Sequence, residues 1–310
     1  MRLFNCILFI LFSTSVYASE QWANAASPDP LNYSGFGDAI AVLDNWMVIG
    51  DPENDDMATD GGAVHVYDNS QGQWQLFDTL YAENADNFDA FGSAVAIERL
   101  HNTGEIWIMA SALGDDDAPG NDIGAVYGFQ MVDGLSFTYD GVKLFGDSLS
   151  RNFGTSLALN YDYVEDIGTF LWVLVVGDEF AHQYIDPDFP NNGTRSTGGV
   201  TIFKRSGGLP WERELVQGLP PLGDSFARLG TSVATDGIFI VAGAPFLDNN
   251  ALGNDGVDQG GVYVYARSGI TQTWNCCSIV RANTTRGARF GFSVDVAKQF
   301  NENVYIYAGA

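Results

Sequence analysis

One block of sequence recurs along this chain, and it fixes the architecture. Each copy opens on a Phe-Gly or Leu-Gly pair that leads a short apolar run: Phe36-Gly37, Phe91-Gly92, Phe153-Gly154, Leu229-Gly230 and Phe290-Gly291. Their glycines are 55, 62, 76 and 61 residues apart. A second apolar run follows and ends in Gly243-Ala244-Pro245 or a relic of it, such as Gly50-Asp51-Pro52 or Gly177-Asp178-Glu179. A third run reads Gly-Gly-Val-Tyr-Val-Tyr, best kept at Gly260 to Tyr265. A repeat of this length, built from short β-branched and aromatic runs, is that of a β-propeller blade.

Each copy supplies four short strands. In the first they are expected over Ala39 to Leu43, Trp46 to Gly50, Ala63 to Tyr67 and Trp74 to Leu80. In the fourth they are Ser232 to Thr235, Ile238 to Ala242, Gly261 to Tyr265 and Trp274 to Val280. Val64-His65-Val66-Tyr67 and Val262-Tyr263-Val264-Tyr265 alternate with the period of two that a pleated strand requires. Proline after the second strand closes it, since proline cannot donate to the ladder. The small residues of the first strand, Ala39 and Ala41 or Ala94 and Ala96, are expected to suit crowding near the propeller axis. The preceding phenylalanine is expected to wedge between blades. The expected fold is therefore all-β, a propeller with four full four-stranded antiparallel blades and part of a fifth. The fifth copy stops where its proline belongs. That leaves two readings: a piece of a propeller of about seven blades, or a small ring closed by an N-terminal strand around Trp22.

The first residues read as a secretory signal. Arg2 supplies the positive end, Leu3 to Phe12 is mostly apolar, and Val16-Tyr17-Ala18 sets cleavage after Ala18. The expected organisation is a signal peptide over 1–18 and the propeller over 19–310, in a secreted, periplasmic or cell-surface protein. No later run approaches the roughly 20 apolar residues of a membrane helix. The formal charge of −25 repels nucleic-acid backbone, which argues against it as a partner. Of three cysteines, Cys276 and Cys277 are adjacent and follow the signal; a strained vicinal disulfide and two free thiols both stay open.

These motifs resemble the FG-GAP repeat, the unit of the integrin alpha-chain propeller and of exported bacterial proteins. The resemblance covers nearly all of residues 19–310 and is best in the fourth copy. It implies a propeller, usually of seven blades, with roles in adhesion or ligand recognition. Many members carry a calcium loop between the Phe-Gly strand and the Gly-Ala-Pro strand, with acids at alternate positions around a glycine. Of the corresponding connections here, Leu43-Asp44-Asn45 and Thr235-Asp236-Gly237 are too short and acid-poor for a cation that takes six to eight oxygens, and Asn160 to Thr169 holds Asp162, Glu165 and Asp166 in the wrong spacing.

Acids gather instead between the second and third strands. There, Asp248, Asn254, Asp255 and Asp258 are the candidate metal ligands, with calcium the cation such oxygens would take. The bland reading of the same residues, and of Glu53-Asn54-Asp55-Asp56, is a solvated turn. The third copy carries the longest insertion in that connection, Phe180 to Thr197, with His182, Asp186, Asp188 and Arg195. A long loop on a rigid face is a candidate ligand contact. His65 is expected to be packed or hydrogen-bonded within its strand. No nucleophile elbow, phosphate loop or Cys-x-x-Cys pair is present. The function expected first is a non-enzymatic recognition or adhesion module for a protein or glycan at its loop face. The alternatives are the propeller of a secreted polysaccharide-degrading or phosphatase-like enzyme, and a structural part of a larger surface protein.

Overall fold

The computed structural model describes residues 25–28, 34–100, 103–116, 123–131, 134–146, 150–164, 168–184, 194–214, 227–248, 257–268, 274–281, 286–298 and 304–310. Among them there is no helix. The first blade is β1 (Ile40–Leu43), β2 (Trp46–Asp51), β3 (Ala63–Asp68) and β4 (Gln75–Leu80), antiparallel and in chain order. The second is β5 (Phe91–Arg99), β6 (Ile106–Ala112), β7 (Ala125–Met131) and β8 (Thr138–Phe145). In the third, β9 (Ser156–Val164) and β10 (Thr169–Asp178) are followed by a small hairpin, β11 (His182–Tyr184) with β12 (Thr194–Ser196). The blade then resumes with β13 (Gly199–Arg205) and β14 (Glu212–Glu214). The fourth is β15 (Ser232–Thr235), β16 (Phe239–Ala244), β17 (Gly261–Arg267) and β18 (Trp274–Val280). β19 (Ser293–Lys298) pairs with β20 (Val304–Gly309) as a two-stranded fifth sheet. β16 ends at Ala244, immediately before Pro245, as a missing ladder donor requires.

Consecutive blades pack face to face through their inner strands: β5 against β1 and β2, β9 against β5, β15 against β9 and β10, β19 against β15 and β16. Four apolar cores fill the gaps. Val48, Val64 and Val66 meet Phe91, Val95 and Tyr127 between the first two blades. Trp107, Met109, Phe153 and Trp172 lie between the second and third. Val173, Val175, Leu229 and Ile240 lie between the third and fourth. Val241, Val262, Phe290 and Val294 lie between the fourth and the fifth sheet. In the second to fifth copies the residue before the repeat glycine is thus a wedge in the core of its own interface, and Phe91, Phe153 and Leu229 are fully buried. The fold is a β-propeller.

The two glycine motifs are halves of one contact. A Cβ on Gly50 would stand 1.9 Å from the carbonyl oxygen of Gly92, one on Gly177 2.1 Å from that of Gly230, and one on Gly243 1.8 Å from that of Gly291. The Phe-Gly or Leu-Gly glycine of one blade therefore presses on the Gly-Ala-Pro glycine of the blade before it. The former also sits at positive φ, +97° at Gly92 and +92° at Gly230, where a side chain is strained. Parallel bridges beside this contact join Gly62 to Phe91, Gly198 to Leu229 and Gly260 to Phe290.

The small residues of the first strand lie where inner strands of neighbouring blades crowd together. Ala39 and Ala41 pack into the core between the first and second blades, whereas Ile40 and Val42 between them are exposed. Inner strands of neighbouring blades stand close, so the core tapers there and accepts only short side chains. The region of Trp22 and of the signal lies outside the described residues, as do the side chains of Cys276 and Cys277. No helix among the described residues is long and apolar enough to cross a membrane.

Candidate functional site

Antiparallel strands bring the end of the second strand, the start of the third and the approach to the first onto one face of every blade. Between the third and fourth blades that face holds a cleft of about 500 Å³, lined by Phe180, His182, Ser196, Arg228, Phe246 and Asp258. Three different segments build it. Phe180 follows β10, and His182 and Ser196 are directly opposite one another in the inserted hairpin. Arg228 precedes the Leu229 wedge at φ +53°. Phe246 and Asp258 flank the loop between β16 and β17, and the Phe246 amide donates to the carbonyl of Ala227 at 3.2 Å.

The guanidinium of Arg228 lies 4.8 Å from the ring centre of Phe180 and 4.6 Å from that of Phe246. On Phe246 a second guanidinium stacks, that of Arg289, at 4.8 Å. Glu179 Oε2 is 3.8 Å from Arg228 Nη1 and accepts the Thr231 hydroxyl at 3.3 Å. The cleft thus presents apolar rings, a fixed cation, the Asp258 carboxylate and small hydrogen-bonding groups, with the Glu179 carboxylate beside Arg228 behind the lining. Such a set, apolar ring edges beside fixed polar groups, matches a polyhydroxylated ligand whose hydroxyls the polar groups orient.

The structure divides the candidate metal ligands. Asp248 accepts the Asp258 amide at 2.9 Å and so closes the turn, with Asp258 at φ +50°. Asn254 and Asp255 lie outside the described residues, as do Asp186 and Asp188 and the side chain of Arg195. Among the described residues no group of three or more His, Cys, Asp or Glu side chains is placed to hold a metal. Elsewhere the loop acids bind their own backbone: Asp55 accepts the Asp60 amide at 2.8 Å and Asn54 the Asp56 amide at 3.0 Å. What sequence reasoning missed is Phe180, Arg228, Phe246 and Arg289 acting together. The signal was present as residues that break the repeat.

Two buried polar groups lie apart from the cleft. His65, packed in β3, meets Asp51 Oδ2 through Nε2 at 3.0 Å and Thr79 Oγ1 through Nδ1 at 3.1 Å, as expected for a hydrogen-bonded strand histidine. Burial raises the Asp51 pKa, but hydrogen bonds from His65 and Asn54 and the charge of His65 outweigh it and hold the group below its usual range. In the second blade, Asp115 accepts the Tyr127 hydroxyl and stands 3.0 Å from Lys143 Nζ. Burial, and then the charges of Asp115, Asp86 and Asp116, push Asp89 beside it up to about 6, against a hydrogen bond from the Asp86 amide. Asp89 and Asp115 are only 3% and 2% exposed, so a polymer cannot reach them.

No family model and no curated protein match this chain. Among solved structures it is similar to a GH93 alpha-L-arabinofuranosidase of Fusarium graminearum in complex with arabinobiose, at 12% identity and a TM-score of 0.51, over 88% of this chain and 73% of the other. That likeness supports the propeller fold. It also corrects an expectation. A non-enzymatic module was expected because no linear catalytic motif is present, yet a frame of this kind is that of an arabinofuranosidase. The reason is physical: glycoside hydrolysis needs two carboxylates facing one bond, and a repeat fold gathers them from distant loops without leaving a sequence signature.

Proposed function

We propose that this chain is the propeller of an exported polysaccharide-degrading enzyme of FG-GAP type, and that the cleft between its third and fourth blades takes the glycan. The observation that supports this most is the cleft itself, where Phe180, Phe246, Arg228, His182, Ser196 and Asp258 together line about 500 Å³ on a propeller loop face. Phe180 and Phe246 line the cleft and hold Arg228 between their rings, while Arg228, His182 and Ser196 orient hydroxyls. Glu179 and Asp258 are the carboxylates the site offers for protonating the leaving oxygen and for attack or activation of water.

Arabinan is the first substrate to offer, because the similar enzyme was solved with arabinobiose. The test is release of reducing ends from a panel of plant polysaccharides by the mature chain, its Glu179→Gln and its Asp258→Asn variants. The expected result is turnover by the unmodified protein and a loss of about 100-fold or more in each variant. No turnover of any polysaccharide, or turnover indifferent to both substitutions, refutes the proposal.

A further inference from the structure

Phe180, Arg228, Phe246 and Arg289 form a single alternating stack of ring and guanidinium that runs from the third blade to the approach of the fifth. The successive separations are 4.8, 4.6 and 4.8 Å. The repeat makes the arrangement interpretable. Phe180 and Phe246 occupy the same place, third after Gly177 and Gly243; in the first and second blades, third after Gly50 and Ser111 in the same register, stand Glu53 and Gly114. Arg228 and Arg289 both stand immediately before the wedge, where the other copies hold Gly35, Ala90 and Asn152. The scaffold folds with any of these residues, so the stack is not demanded by the propeller. Its confinement to one sector points to a ligand.

The chemistry of the stack selects the ligand's charge. A guanidinium held face-on by phenyl rings keeps its N–H edge free, and that edge matches a carboxylate in two parallel hydrogen bonds. Arg289 is exposed and makes no ion pair among the described residues, in a chain of 39 acidic and 14 basic side chains. The Glu179 contact to Arg228, at 3.8 Å, is longer than a hydrogen bond. Glu179 and Asp258 limit the positive potential near Arg228, which leaves Arg289, at the far end of the stack, the stronger anion contact.

Resting on the reading of the cleft as a glycan site, we propose that the stack extends it into a track for a carboxylate-bearing polysaccharide. The chain of sugars lies along the loop face from the cleft toward the fifth sheet, with Arg228 and Arg289 each taking a uronate carboxylate at contact distance, while salt screens the long-range repulsion from the −25 charge of the chain. The test uses the full chain and measures binding to polygalacturonate, to the same polymer with its carboxyls reduced, and to dextran sulfate at matched ionic strength. The expected result is binding to polygalacturonate about tenfold tighter than to its reduced form, lost on Arg289→Gln and on Arg228→Gln. Arg289 is exposed, so its variant should melt as the unmodified chain does. Equal binding of the two forms overturns the inference, as does indifference to both substitutions. Tighter binding of dextran sulfate through the same arginines overturns the carboxylate assignment. Turnover of arabinan without preference for polygalacturonate removes this inference and leaves the glycan reading intact, whereas no binding or turnover of any polysaccharide removes both.

Discussion

Gly50→Ala tests the contact on which the stacking of blades depends. Gly50 ends the second apolar run of the first blade, and its φ is not in the left-handed region, so alanine suits its backbone. The obstacle is the next blade. The new Cβ would sit 1.9 Å from the Gly92 carbonyl oxygen and 2.9 Å from its carbon. An ordinary carbon–oxygen contact needs more than 3 Å, so roughly 1 Å or more of separation must be created between two backbones. No flexible side chain can yield, and the second blade must tilt away from the first. Overpacking of this kind costs about 3 kcal/mol. With an unfolding entropy of about 2.1 cal/mol/K per residue, a chain of this size loses about 5 °C in Tm. The control is Gly37→Ala, whose Cβ meets nothing within 4 Å and whose φ is +99°. It isolates backbone strain, about 1–2 kcal/mol. Differential scanning calorimetry of both variants decides the matter. A Gly50→Ala loss no larger than that of Gly37→Ala would refute the claim that paired glycines set the distance between blades.

Three further outcomes follow from the buried groups. Asp89 is raised from 3.8 to about 6, so the folded protein holds a proton that the unfolded chain has released between those values. That contribution is full below about pH 4 and is lost as pH rises through about 6, a swing of up to about 3 kcal/mol. Asp89→Asn should therefore flatten the unfolding free energy over that range and stabilise the chain at pH 7; urea titrations at several pH values read both. For Asp51 the sign is opposite: its lowered pKa gives stability that is present above about pH 4 and lost as pH falls through the folded value. His65→Ala leaves that carboxylate buried without its main partner and should cost about 3–5 kcal/mol, and the cost should shrink when Asp51→Ala is combined with it. Phe153→Ala empties the wedge between the second and third blades and should cost about 3–5 kcal/mol by chemical denaturation.

Repeat period, strand positions and motif order followed from the chain itself. Runs such as Val262-Tyr263-Val264-Tyr265 are apolar throughout because a strand packed on both faces must be, and β17 lies where that run places it. Pro245 marks the end of β16 for an equally local reason, its missing N–H. Local rules could not say which way the small side chains face. Ala39 and Ala41 turned toward the core because the gap between inner strands is a property of two blades together. Nor could they reveal that Gly50 and Gly92 are one contact, since the clash exists only when the second blade is in place. The site was legible in fragments: His182 and Asp258 stood out singly as loop residues with donor side chains. Tertiary structure alone joined them with Phe180, Arg228 and Phe246, because segments far apart in sequence meet only when successive blades fan around a common hub and present the same loop end to the same face.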